Sequence, residues 1–231
     1  MKKFRALVFS IVGAVSASTS YAQSAGTDMG ACHYTPDALQ SWKALWARQL
    51  RVLDPKHAVH LSKVAAEIID GQGDALKADI NAGLSPNASL KNAGGEMSLL
   101  ELAVAACQDQ IARDLVTLGA SADGDATSTP LVVASAKGQG ALAEFLIQHG
   151  AAVEKIDSNG HTALEDAVRQ HQLSSVQVLV KHGGNPNRPL AGNATILDLV
   201  SHSPDPADQA ITKELTAHGA ASGLVNSKAE Q

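Results

Sequence analysis

Residues 128–160 read STPLVVASAKGQGALAEFLIQHGAAVEKIDSNG, and this stretch decides the fold. Pro130 follows a Ser-Thr pair, as at the first position of a helix, where the missing N–H of proline costs nothing. A break near Gly138 separates this short helix from a second one, and Gly150 ends the second. The second helix carries apolar residues one turn apart, namely Leu142, Phe145 and Leu146. The stretch therefore predicts two short helices followed by a polar loop.

The same pattern recurs along the chain with a period of about 33 residues. Glycines that follow an apolar run stand at positions 83, 119, 150, 183 and 219, at spacings of 36, 31, 33 and 36. A Ser or Thr lies 21 residues before three of them, at Ser98, Thr129 and Thr162. Thr195 lies 24 residues before its glycine, so the last unit has a three-residue insertion, which we place in the proline-containing loop 203–206. Such a period indicates a stacked repeat array.

These residues resemble the ankyrin repeat. That family is marked by Thr-Pro-Leu-His-x-Ala in the first helix and by Gly-Ala-x-Val/Pro-Asn after the second. Residues 128–160 match most of this pattern, and so do residues 161–187, HTALEDAVRQHQLSSVQVLVKHGGNPN. The resemblance extends from about Leu61 to Ala221. The chain departs from the family where the motif histidine is replaced, by Glu101, Val132, Glu165 and Asp198. Its first unit also lacks the Thr-Pro-Leu signature, as is common for the end units of an array.

The resemblance implies an all-α ankyrin-repeat solenoid of about five helix-turn-helix units with finger loops. We place the array at 61–222, with units at about 61–92, 93–124, 125–157, 158–190 and 191–222. Residues 23–60 form an N-terminal segment with a helix that caps the array, and residues 223–231 a flexible C-terminal tail. The capping helix starts at Thr35 and Pro36, and its apolar stripe comprises Leu39, Trp42, Leu45, Trp46, Leu50 and Leu53. We interpret the tryptophans as packing residues rather than as a ligand cage.

The first 22 residues have the three parts of a secretory signal. Lys2, Lys3 and Arg5 precede an uncharged apolar run, and a small-residue site ends at Ala22. We expect cleavage after Ala22 and export to a bacterial periplasm. The apolar run is about half the roughly 20 residues that a membrane-spanning helix needs, so we expect no stable membrane anchor after cleavage.

Removal of the signal segment makes the chain more acidic. The segment contains three of the 18 basic residues and none of the 23 acidic ones, so the net charge changes from −5 to −8. An acidic surface repels nucleic acid and anionic lipid, and it attracts a basic protein. We therefore expect the partner to be a protein rather than a nucleic acid, and a basic protein would complement the acidic surface.

The chain has two cysteines, Cys32 and Cys107. An even number of cysteines in an exported protein favours a disulfide, which would fasten the capping helix to the second unit. The alternative is two free thiols, one of them a small buried apolar residue.

No catalytic or cofactor-binding motif is found in the sequence, so we expect neither an enzyme nor a cofactor. His149, His182 and His218 each stand one residue before a helix-ending glycine. In a stacked array their spacing would be about 10 Å, one helix diameter, which is too far for shared zinc ligands near 2 Å. We interpret them as surface residues near helix C-termini, and expect no metal. Glu101, Glu165 and Asp198 fall near helix N-termini, where negative charge is stabilising.

The resemblance implies a protein-binding surface made of finger loops and first helices. The implied contacts are Ser158, Asn159 and His161 on one finger, Lys137, Arg169 and Gln170 on first helices, and His149 and His182 at second-helix ends. The alternative for each residue is a solvated position without a partner. Two functions stay open: an immunity or inhibitor protein that binds a periplasm-acting effector or enzyme, and an accessory factor that protects a host protein, as in oxidative-stress defence. A histidine-based metal binder or enzyme is the remaining alternative.

Overall fold

The computed structural model describes residues 58–92, 95–124 and 129–226, together with positions 32, 37, 40, 41, 43 and 44. The predicted signal segment, most of the predicted capping helix with its Leu and Trp stripe, and residues 227–231 lie outside the described residues. The five described positions from 37 to 44 are helical. Within the described ranges, no helix combines the length and the apolar character that a bilayer crossing requires.

The chain divides into two compact units, residues 1–119 and 120–231. The elements of the first unit are α1 (Ala58–Ile69), α2 (Gly73–Asn81), β1 (Ser89–Asn92), β2 (Gly95–Ser98), α3 (Leu99–Ala105) and α4 (Asp109–Thr117). Those of the second unit are α5 (Pro130–Ala136), α6 (Gly140–Gln148), α7 (Ala163–Arg169), α8 (Leu173–Lys181), a 3₁₀ turn (Ala191–Asn193), α9 (Ile196–Val200), α10 (Pro206–Ala217) and α11 (Gly223–Asn226).

Helices of one kind pack on helices of the same kind within each unit. In the first unit α1 contacts α3 and α2 contacts α4; in the second, α7 contacts both α5 and α9, and α8 contacts both α6 and α10. Each helix also contacts its partner in the pair, so first and second helices form two layers around an aliphatic core. That core contains fully buried leucines, including Leu99, Leu102 and Leu115 in the first unit and Leu142, Leu164 and Leu179 in the second. The all-α, ankyrin-type fold class is confirmed.

The predicted caps start most of the first helices. The hydroxyls of Ser98 and Thr162 accept hydrogen bonds from backbone N–H groups of the first turn, at 3.0 and 3.3 Å. Thr195 forms a capping box with Asp198. Thr129 occupies the corresponding position without a side-chain cap, because its ψ of 74° differs from the extended 165° of Thr162. The sequence therefore predicts the position of the cap residue correctly in all four units, and the capping hydrogen bond forms in three of them.

A left-handed glycine follows each second helix, as the sequence predicts. Gly83, Gly119, Gly150, Gly183 and Gly219 have φ angles between 81° and 112°. Glycine adopts this region without the strain that a Cβ introduces. The glycine that follows each apolar run therefore predicts the end of all five second helices correctly.

A polar residue four positions after most of these glycines joins adjacent finger loops. Asn87 donates to the carbonyl of Gly119 at 2.9 Å, and Asp123 accepts from the backbone N–H of Ala152 at 2.9 Å. Glu154 and Asn187 accept in the same way from the backbone of the following loop. These bonds satisfy backbone groups that the short loops would otherwise leave unpaired.

Three features differ from the sequence-based expectation. The first finger is an antiparallel hairpin in which Leu90 opposes Met97, and Leu90 is fully buried. The insertion of the last unit lengthens its second helix, because Asp205 caps α10 and Pro206 begins it. The segment that we expected to be a flexible tail starts with the helical turn α11.

Candidate protein-binding surface

The finger between α6 and α7 is held in shape by Asp157. The Oδ1 atom of this residue accepts hydrogen bonds from the backbone N–H groups of Asn159 and His161, at 2.8 and 2.9 Å. Its Oδ2 atom accepts from the side chain of Asn159 at 2.6 Å. Gly160 completes the turn with a φ of 84°. Ser158 and Asn159 are exposed at the tip, so the finger presents them on an ordered turn.

His161 connects this finger to helix α7. Its Nδ1 atom donates to Oδ1 of Asp166 at 3.0 Å. Asp166 is 8% exposed, and this burial raises the pKa of its carboxyl group, while the charge of His161 opposes the rise. His161 itself is half-buried. The imidazole therefore orients the base of the finger as well as lining its surface.

Glu165, which replaces the motif histidine of the family, has a partner that the sequence does not indicate. It is 2% exposed and forms an ion pair with Arg188 of the following finger. Arg188 also donates to the carbonyl of Gly160 at 3.1 Å. The pair joins two consecutive fingers and neutralises a buried carboxylate. Sequence reasoning missed Arg188, since no pattern links positions 165 and 188 before the repeats are stacked.

The structure places Lys137 differently from the expected exposed helix face. It is the residue that ends α5, and it is 6% exposed. Burial lowers the pKa of its ammonium group to about 8, because the charged form loses hydration. Its contact with a partner stays a prediction, but the side chain does not lie on the accessible surface.

Arg169 and Gln170 lie at the other end of the fourth repeat from the finger. Arg169 ends α7 and Gln170 follows it, and both are exposed. The seven residues of α7 span about 10 Å at 1.5 Å per residue. The structure therefore brings Ser158, Asn159 and His161 together, and separates them from these two residues by the length of one short helix.

His149 and His182 end the second helices α6 and α8. Nδ1 of His149 donates to the carbonyl of Phe145 at 2.8 Å, and its ring lies 4.0 Å from the ring of Phe145. Nε2 of His182 lies 3.4 Å from Glu144. His149 thus has its partner on its own helix, and His182 has its partner on the second helix of the preceding repeat.

One group of potential metal ligands occurs among the described residues. Asp157, His161 and Asp166 each place a ligand atom within 4.8 Å of the others. The same atoms, however, already form the hydrogen bonds of the finger: Asp157 accepts from two backbone N–H groups and His161 donates to Asp166. Holding a cation would require them to exchange these bonds for metal coordination. We therefore derive no metal chemistry from the group.

The disulfide favoured by the sequence is present. Cys32 is bonded to Cys107, and their Cα atoms are 5.5 Å apart. Cys107 lies in the turn between α3 and α4 with a φ of 58°. Lys43 forms an ion pair with Asp70, in the turn that follows α1. Both contacts attach the N-terminal segment to inter-helix turns of the first unit.

Comparison with known proteins agrees with these repeats. Residues 100–189 match the family model for ankyrin repeats, in three copies. An ankyrin repeat-containing protein of Treponema pallidum (strain Nichols) is 36% identical over 124 residues, which are 52% of this chain and 41% of the relative. The chain thus spans less than half the length of that relative. The sequence match and the stacked helix pairs together show that residues 100–189 form ankyrin repeats.

Proposed function

We infer that this chain is a scaffold for protein–protein interaction, as its ankyrin repeats indicate. We propose that this chain binds another protein through the finger 157–162 and the neighbouring ends of the helices, without catalysing a reaction. The observation that carries the proposal is the finger itself. Asp157 fixes its turn with three hydrogen bonds, and the polar tip stays exposed. A loop that is already ordered loses little conformational entropy when it binds.

We further propose that the chain acts after export to the periplasm, with its predicted signal segment removed. In that setting it serves as an immunity or inhibitor protein against an effector or enzyme that acts there. The mature net charge of −8 would increase the association rate with a basic partner. An accessory role in protecting a host protein, as in oxidative-stress defence, is the second candidate, and the same surface would serve it.

Capture of partners from a periplasmic extract tests the binding proposal. The bait is the mature, disulfide-bonded chain, compared with a variant that carries Ser158→Arg and Asn159→Arg at the exposed tip of the finger. Lys213→Glu, an exposed charge reversal on α10, is the matched control. We expect the double variant to lose a partner that the control retains. If every recovered protein bound the double variant as well as the unchanged chain, this surface would not be the binding site.

Export is tested separately. Intact mass measurement of the protein recovered from the periplasm should show a chain that begins at Gln23. Recovery of the uncleaved chain from the cytoplasm alone would contradict export while leaving the binding proposal open. The two functional candidates then differ in the partner: a toxic effector or enzyme that is inhibited, or a host protein that survives oxidative stress better when the chain is bound.

A further inference from the structure

The last repeat is attached to its neighbour by a buried carboxylate. Asp208 lies in the first turn of α10 and is 4% exposed. Its Oδ1 atom accepts a hydrogen bond at 2.5 Å from Nδ1 of His171, and the hydroxyl of Ser203 also donates to the carboxylate. His171 lies in the turn between α7 and α8, 37 residues earlier in the chain. The contact therefore joins the fourth repeat to the fifth.

A second carboxylate holds the end of the same repeat together. Asp198 of α9 accepts from the backbone N–H groups of Thr195 and Gly223 at 2.8 and 3.0 Å, and from the hydroxyl of Ser222 at 2.5 Å. These bonds fix α11 against the start of α9. The backbone of Gly223 lies close to that of Asn193: a Cβ atom added to Gly223 would be 1.8 Å from the carbonyl oxygen of Asn193.

We propose that Asp198 and Asp208 form an acid-sensitive latch, in which Asp208 holds residues 195–226 on the fourth repeat and Asp198 holds the two ends of that segment together. In this arrangement both side chains act as hydrogen-bond acceptors. A protonated carboxyl group accepts more weakly and carries a proton that needs an acceptor of its own. Acid therefore removes the contacts that fasten the end of the array, and it leaves the aliphatic core unchanged.

The direction of the pKa shifts supports this dependence on pH. Burial raises the pKa of Asp208, but the hydrogen bonds from Ser203 and His171 and the charge of His171 lower it below its ordinary 3.8. The pKa of Asp198 is also lowered, since hydrogen bonds from Ser222, Thr195 and Gly223 outweigh its burial. For an acid whose folded pKa is lowered, the stabilisation is complete above the unfolded pKa, near 4. It is lost as the pH falls through the folded value.

The other ionisable groups on the surrounding elements either form contacts with residues other than Asp198 and Asp208 or are exposed. Helices α8 and α9 pack against α10, and α7 packs against α9. On α7, Glu165 pairs with Arg188, and Asp166 pairs with His161 and interacts with Arg169. On α8, Lys181 pairs with Glu144. On α10, Glu214 accepts from Gln177 and pairs with His218, and Lys213 is exposed. In the loop before α10, Asp205 caps the helix and His202 bonds to Ser201. The charge that acts on Asp208 is that of His171.

The position of the latch determines which part opens first. Among the described residues, the repeat formed by α9 and α10 packs on the fourth repeat, whereas the fourth packs on two neighbours. Both latch carboxylates lie in the repeat that has a single described interface. The interface between α7 and α8, by contrast, is formed by buried apolar side chains that include Leu164 and Leu179. Protonation should therefore open residues 195–226 while the third and fourth repeats remain folded.

Hydrogen exchange of the intact, disulfide-bonded chain tests the proposal. Protection factors, corrected for the intrinsic pH dependence of exchange, are measured between pH 6 and about pH 2.5. We expect the amides of α9 and α10 to lose protection about tenfold or more at a pH where those of α7 and α8 keep theirs, the size expected for hydrogen bonds to charged groups. Simultaneous loss of protection across the whole second unit would overturn the proposal, as would full retention in residues 195–226.

Substitutions reproduce the protonated state at neutral pH. Asp208→Asn and Asp198→Asn replace each carboxylate with a neutral group of the same shape, and Lys213→Gln, at an exposed position of α10, is the matched control. At pH 7 we expect Asp208→Asn to lose about tenfold protection in α10, Asp198→Asn to lose about tenfold in α9, and the control to lose none. His171→Asn removes the imidazole at a left-handed position that Asn tolerates, and it should weaken protection in the same segment. Protection equal to that of the unchanged chain in both Asp variants would refute the latch. If an Asn variant does not fold, the acid titration of the unchanged chain decides.

Discussion

Replacing Lys137 should stabilise the protein, and the gain should depend on pH. Burial lowers the pKa of this side chain from 10.5 to about 8 in the folded state. At about 1.36 kcal/mol per pKa unit, keeping the ammonium group charged inside the fold at pH 7 costs about 3 kcal/mol relative to the unfolded chain. Methionine has a similar length and no charge. We therefore expect Lys137→Met to raise the free energy of unfolding at pH 7 by up to about 3 kcal/mol.

The sign of the pH dependence separates desolvation from simple packing. A base whose folded pKa is lowered destabilises the native state fully below that pKa, and the cost shrinks as the pH rises from about 8 towards 10.5. Between pH 7 and pH 9.5 the unchanged protein should therefore gain about 2 kcal/mol relative to Lys137→Met. Urea unfolding followed by circular dichroism, with both proteins measured at both pH values, gives this difference directly.

Lys137→Arg provides the matched control, because a guanidinium group stays charged over this whole range. Its stability relative to Lys137→Met should not change between pH 7 and pH 9.5. The reasoning is refuted if the difference between the unchanged protein and Lys137→Met is also independent of pH. In that case the ammonium group would be hydrated in the folded state, and any gain from methionine would come from packing alone.

Three further outcomes test other contacts. Gly138→Ala and Gly183→Ala should each cost the roughly 1–2 kcal/mol of a left-handed alanine, because the space around Gly183 is open and only the flexible end of Gln172 lies close to a Cβ at position 138; a variant as stable as the unchanged protein would contradict this. Arg188→Met should lower the free energy of unfolding by about 2 kcal/mol, because it removes the cation that pairs with the buried Glu165. Most of this loss should disappear when Glu165→Gln is added, and losses that simply add in the double variant would contradict the pairing. Thiol labelling of the denatured, unreduced chain should find no free cysteine, and labelling of both would disprove the disulfide.

The helix ends could be predicted from the sequence because their causes are local. Thr162 caps a helix whose N–H groups lie three residues away, and Gly183 ends one by its own backbone conformation. Neither needs a distant partner. The period of the repeat then specifies which helices stack, since each pair is too small to bury its apolar face alone. Fold class and helix positions therefore followed from patterns shorter than one repeat.

The contacts between repeats could not be predicted in this way. Glu165 and Arg188 are 23 residues apart, and their pairing depends on the distance between two stacked fingers. The burial of Lys137 depends on what covers the end of a seven-residue helix. The hairpin at the first finger is stabilised by the burial of Leu90 in the core. Each of these features is set by packing, and the repeat pattern specifies only that packing occurs.

The turn between the two helices of a repeat shows how such contacts select residues. This turn needs a left-handed residue, which is Gly71, Cys107, Gly138 or His171 in the first four repeats. A side chain is strained there, and at the two glycine positions the glutamine of the following repeat occupies the space that a Cβ would need. The two residues that do have side chains both form cross-links, Cys107 to the N-terminal segment and His171 to the last repeat. Departures from the repeat pattern at a strained position therefore mark the places where the ends of the array are attached.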